Sequence, residues 1–158
     1  MVFCYYEGFQ FKNELLREAK LMSGIVELTD LVTSEQYEKI RRTFVKHFHM
    51  PLEVTKSNAM EVRRMCDENC HPRFCKLIKS SKTGLRRCKQ DRIRSQNIAA
   101  ETGQPYISLC HAGIVLVCVP IMEQDNNLGG LFFGKCLWDK LDDTLLSDIY
   151  KRLRGQIG

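Results

Sequence analysis

The chain has 158 residues, 44% of them hydrophobic, and a formal charge of +5, which suits one domain with a real core and little left over for a second. Eight cysteines are too few for a disulfide scaffold, and no apolar run approaches the roughly 20 residues that a bilayer-spanning helix needs. The opening residues lack the apolar stretch of a secretory signal. The expectation is a single module over residues 1–158, away from membranes, cytoplasmic, with reduced thiols.

The first predicted element is a helix over Phe11–Met22, with Leu15, Leu16, Ala19 and Met22 at helical spacing. A short extended piece, GIVELTDLV, follows it. TSEQYEKIRRTFVKHFH then reads as an amphipathic helix, with Thr33 placed to cap it, Gln36 three residues on, and Tyr37, Ile40, Phe44 and Phe48 along one side. Pro51 stops that helix, His47 and His49 are read as ordinary residues at its end, and PLEVTK is expected to form a short strand. Residues 58–68 carry no clear pattern.

Pro72 can open a short helix reaching Ile78, since its missing N–H does no harm in a first turn. Thr83 is placed to cap a longer helix from Gly84 to about Thr102, with Leu85, Cys88, Arg92, Ser95 and Ala99 as its inward stripe. After Gly103 the texture changes. QPYISLC, GIVLVCVPIM and LGGLFFGKCLW are rich in strand formers and joined by HAG and EQDNN, so they predict an antiparallel three-stranded meander. DDTLLSDIYKRLR closes the chain as a helix, with Leu145, Ile149 and Leu153 on one side and acids in its first turn. Helices segregated from an antiparallel sheet define an α+β architecture, and such sheets often cup a small-molecule cavity.

Between Arg73 and Arg94 stand nine Lys or Arg residues against a single acid, Asp91. Such a run is read as a solvated helix face. Neither a helix-turn-helix nor an aromatic-rich RNA motif accompanies it, so nucleic-acid binding through this domain is not expected.

The series FCKLIKSSKTGLRRC, AAETGQPYISLCHAG, VCVPIM and LGGLFFGK resembles the PocR-type sensory domain of bacterial signal-transduction proteins. That family shows a Phe-Cys-x-x-Ile opening, a Gly-x-x-x-Cys helix, a Gly-x-Pro strand ending in Cys-His-Ala-Gly, then Pro-Ile and a Gly-rich strand. The resemblance runs from about Phe74 to Lys135 and is weak upstream. It implies a PAS/GAF-like fold, with helices packed on the sheet and flanking terminal helices. It also implies a non-enzymatic role in sensing small organic molecules, hydrocarbon derivatives such as short alcohols or diols, for a DNA-binding or kinase output module. No room is left here for such a module, so the chain is read as a single-domain protein or a sensory piece of a longer one. By analogy with sensory domains that signal across paired helices, a homodimer is the expected assembly.

Cys75, Cys88 and Cys110 fall at the three cysteine positions of that pattern, with His111 beside the last. Soft thiolates with one imidazole are the ligand set of a structural zinc site and also hold iron–sulfur clusters. Twelve residues separate Cys75 from Cys88 and Cys110 lies far beyond, so only tertiary folding could assemble them. Cys66, Cys70 and His71, in RMCDENCHPRFC, depart from the family pattern and are alternative ligands. Cys4, Cys118 and Cys136 are read as small apolar residues.

A reactive Cys110 with His111 as base is disfavoured, because neighbours rarely reach nucleophile–base geometry. Tyr106, His111, Phe132 and Gly134 are the expected ligand-adjacent residues: Tyr106 shares a strand face with Ser108, and glycines on the last strand permit close approach. Two readings stay open. One is a sensory module that binds a small organic ligand, with a metal site or bound cofactor; the other is a redox-active thiol protein, a reductase on a GAF-like scaffold.

Overall fold

The computed structural model describes residues 28–59 and 72–154. The helix expected over Phe11–Met22, the segment holding Cys66, Cys70 and His71, and Cys4 all lie outside the described residues. Two compact units divide the chain between Thr33 and Ser34. Of the first unit the described part includes one helical turn, α1 (Leu28–Leu31). The expected extended piece is therefore helical where it is described, with Asp30 in the first turn, where the helix dipole favours an acid.

The second unit carries α2 (Ser34–Phe48), β1 (Glu53–Lys56), α3 (Arg73–Ser80), α4 (Lys82–Thr102), β2 (Tyr106–Leu109), β3 (Val115–Glu123), β4 (Asn126–Gly134) and α5 (Asp143–Leu153). The meander forms as expected, and PLEVTK extends it. β1 pairs with β4 on the far side, giving a four-stranded antiparallel sheet in the order β1-β4-β3-β2. This is an α+β arrangement consistent with the PAS/GAF-like expectation.

Alternation along the strands puts one row of side chains across the inner face: Glu53, Phe132, Cys118 and Tyr106 stand in register. α4 packs on this face. Its inward residues Cys88, Asp91, Arg92, Ser95, Gln96 and Ala99 follow helical spacing. Ala99, Leu116, Cys118 and Phe132 form a closed apolar cluster with Tyr106 against it. Gln96, fully buried, ties the helix to β1. It donates to the carbonyls of Lys56 (2.8 Å) and Ser57 (3.0 Å) and accepts from the Thr55 hydroxyl (2.6 Å). The expected stripe thus also takes in Gln96, whose amide satisfies strand-end carbonyls, while Leu85, in the first turn, is exposed.

On the opposite face Phe44 of α2 packs against Phe133, with ring centroids 5.3 Å apart. The buried Tyr37 hydroxyl donates to the Leu52 carbonyl at 3.0 Å. Ile40 and Phe48, expected on the same stripe, are exposed.

The helix start differs by two residues from expectation. Ser81, not Thr83, caps α4, its hydroxyl accepting from Gly84 N at 3.0 Å. Gly84 must be glycine, because a Cβ there would sit 2.1 Å from the Ile78 carbonyl oxygen. That close crossing fixes α3 against α4 and thereby sets Cys75 relative to Cys88. α5 is capped by Asp142, which accepts from Leu145 N, and buries Ile149 and Leu153 in a second cluster with Ile78 and Ala112.

Candidate functional site

Three thiols distant in sequence line one small cavity of about 50 Å³. Cys75 comes from the first turn of α3, Cys88 from the inward stripe of α4, and Cys110 from the residue after β2. The chain turns at Cys110, whose N–H donates to Ile114 O (2.9 Å) while its own carbonyl accepts from Gly113 N (2.8 Å). Gly113 takes a positive φ of 78°, which a glycine adopts at low cost. This turn lets Cys110 and His111 leave the strand and reach one neighbourhood.

His111 is held by Asp91. One carboxylate oxygen, Oδ2, accepts from both the His111 backbone N–H and ring Nδ1, each at 2.7 Å. Because the acceptor is a carboxylate, Nδ1 carries a proton, and in the neutral ring the lone pair is on Nε2. His111 Nε2 is buried and has no hydrogen-bond partner. Ligand atoms of Asp91, Cys110 and His111 lie within 4.8 Å of one another. Cys75 and Cys88 are outside that tight trio yet line the same cavity as Cys110 and Asp91.

Burial governs these thiols. It pushes Cys88 up to about 11, with Lys79 opposing, and it raises Cys75, with the neighbouring Cys110 adding to the effect. Cys110 is also raised by burial, against backbone N–H groups of Ile114 and Ala112 that favour the thiolate. Without a cation among them, the three sulfurs are thiols at neutral pH.

A buried charge cluster forms the cavity's other wall. Glu53, 1% exposed, receives Arg92 Nη2 on one carboxylate oxygen at 2.7 Å and the Lys135 ammonium on the other. Arg92 also lies over the Phe132 ring, 5.0 Å from its centroid. Burial pulls Lys135 down to about 7, an effect that the adjacent carboxylate opposes.

A second, larger cavity of about 290 Å³ adjoins the first, with Cys75, Ile114 and Lys135 in the walls of both. Its remaining lining is apolar: Pro72, Phe74, Leu137, Leu141, Leu146 and Ile149. It therefore lies between the start of α3, the segment after β4, and α5.

Tyr106, Phe132, Gly134 and His111 line neither cavity. Phe132 is fully buried in the closed cluster with Tyr106 against it. Space beside Gly134 is taken by the Val115 carbonyl, 2.9 Å from where a Cβ would be. Sequence reasoning missed Glu53, Asp91, Lys135 and the lining from α5. Asp91 had a signal, being the one acid in a run of nine cations and three residues from Cys88. Glu53 stood in a strand of alternating pattern, but its burial depends on Arg92 and Lys135 arriving from elsewhere.

Among the described residues no helix is long and apolar enough to cross a membrane. No curated protein and no solved structure matches the chain. Residues 30–155 match the family described as the sensory domain found in PocR, a span that takes in the sheet, both cavities and every thiol that lines them. The chain therefore belongs to the PocR sensory-domain family.

Proposed function

We propose that this sensory domain binds a small organic molecule, mainly hydrocarbon with one polar end, such as a short alcohol or diol, in the cavity of about 290 Å³. The observation that carries the reading is the composition of that cavity. Its walls are apolar except where Lys135 and Cys75 face it, a lining that places a tail by burial and a head by one polar contact. A volume at the lower end of ligand pockets suits a guest of few carbon atoms. Leu146 and Ile149 belong to α5, so an occupied cavity changes the packing of that helix. α5 is the element through which occupancy reaches a DNA-binding or kinase output module, in this chain or a partner, with a homodimer as the signalling form.

The competing reading, a redox-active thiol protein, is disfavoured by the raised thiols: catalytic cysteines sit in surroundings that lower the pKa.

Thermal denaturation of the full chain with a panel of short alcohols, diols and carboxylates tests the proposal. The expected result is a concentration-dependent rise in Tm for one class, lost in Leu141→Trp, which fills the cavity from an exposed position, where a substitution changes stability by about 0.5 kcal/mol or less. A panel without any binder, or binding untouched by Leu141→Trp, defeats it.

A further inference from the structure

The thiol cavity has a composition that small-molecule binding does not use. Three sulfurs and the Asp91 carboxylate line it, and His111, held by that carboxylate with ligand atoms of Asp91 and Cys110 within 4.8 Å, keeps a buried ring nitrogen without a hydrogen-bond partner; these residues arise from two helices and a turn. Buried polar atoms without partners are rare in folded proteins and call for an explanation. A ring nitrogen with its lone pair free, its other nitrogen fixed by a carboxylate, is the arrangement of a metal-ligating histidine.

Charge gives a second, independent indication. Around the cavity stand two carboxylates, Glu53 and Asp91, and three cations, Lys79, Arg92 and Lys135. With Lys135 protonated, one positive formal charge is left over. A divalent ion with three thiolates and a neutral imidazole carries one negative charge, so the two balance in a region where an uncompensated charge is costly. Size gives a third. A cavity of about 50 Å³ is small, which suits a single ion.

We infer that Cys75, Cys88, Cys110 and His111 Nε2 form a mononuclear, four-coordinate site for a zinc-type divalent ion, with Asp91 as its positioning residue. On binding, three S–H bonds break, three protons leave to solvent, and three metal–sulfur bonds form, while the already neutral imidazole gives up no proton. The set is closed, all four positions being protein atoms, as in structural rather than catalytic zinc sites. Asp91 touches His111 twice and no sulfur is needed for its role. It fixes the ring's tautomer and orientation, so its loss weakens the ion's hold without removing a ligand. Because Cys75 also walls the apolar cavity, the ion holds one side of the ligand pocket in place. The site itself does not depend on the ligand reading.

The test uses the full chain purified without chelator. Metal content is measured, and the ion is exchanged for Co(II), whose sulfur-to-metal charge-transfer band in the near ultraviolet scales with the number of thiolates. Expected are one ion per chain, the visible bands of tetrahedral cobalt, and a charge-transfer band reduced by one third in Cys88→Ser. Asp91→Asn keeps the tetrahedral spectrum while affinity falls about 10- to 100-fold. Cys136→Ser, at an exposed thiol, leaves both unchanged. A measurement on the unaltered chain guards against variants that fail to fold: bound zinc shields Cys75, Cys88 and Cys110 from alkylation, read by mass spectrometry, and Cys136 stays reactive. A metal-free protein that takes up no cobalt, alkylation of all three thiols in the zinc-loaded chain, or loss of the ion on replacing Cys66 and Cys70 overturns the assignment.

Discussion

Cys118 and Cys88 are the same chemical group, and the two ends of the inward face of α4 put them in opposite surroundings. Cys118 lies in the closed cluster of Ala99, Leu116 and Phe132, fully buried, with burial pushing its thiol up to about 12. Cys88 packs at the margin of the other cluster, beside the thiol cavity, Lys79, Asp91 and two further thiols. One side of the sheet-facing surface is filled; the other borders a hollow lined with thiols and charged groups. Burial alone therefore does not tell a structural cysteine from a functional one, whereas the neighbours it shares a cavity with do.

The comparison breaks first at its filled side. Phe132→Ala removes the largest fully buried side chain and the ring under Arg92, and is expected to cost about 3–5 kcal/mol in chemical denaturation. A much smaller loss means that the cluster collapses around the gap and is not rigid. Glu53→Gln strikes the boundary between the sides, leaving Arg92 and Lys135 buried without their shared carboxylate. A loss of about 3 kcal/mol is expected, and an unchanged midpoint shows the cluster to be wet rather than buried.

Gln96→Leu leaves two strand-end carbonyls of β1 without a donor and should cost about 1–3 kcal/mol, with hydrogen exchange accelerated at β1 before β2 or β3. Uniform acceleration instead makes Gln96 part of the common core. Per pH unit, a smaller effect concerns titration. Cys118 keeps its proton in the folded state up to about 12 but loses it above about 8.5 when unfolded. Its contribution is therefore complete below that lower value and declines as pH rises toward 12, by at most about 1.4 kcal/mol per pH unit. Cys118→Ala should flatten the alkaline decline of stability; an identical slope assigns that decline to the other thiols.

Much of the secondary structure was legible because it is a local matter. The period of Tyr37 and Phe44, the Pro72 start of α3 and the acid-capped α5 are set by residues within one or two turns. Misreadings fell where local signals compete. Ser81 and Thr83 are both good caps, and the choice was made by the Gly84 crossing with Ile78. Gln96 joins the core because a hydrogen-bond donor was needed where β1 ends, which no local pattern announces.

The site was legible only in its sulfur. Three cysteines at the spacing of the family pattern are conspicuous, but the aromatic and glycine positions singled out as ligand neighbours line neither cavity. A strand's sequence tells which residues share a face and not whether that face meets a hollow or a packed helix.

By itself, then, the amino-acid order determined the elements, the inward face of α4 and the family, all of which follow from short-range periodicity and spaced motifs. Tertiary structure alone decided that Cys75, Cys88 and Cys110 share a cavity, that Asp91 takes His111, and that Glu53 is buried between two cations. These pairings join residues from different elements, and their energies arise from desolvation and charge, which exist only once the chain has closed around them.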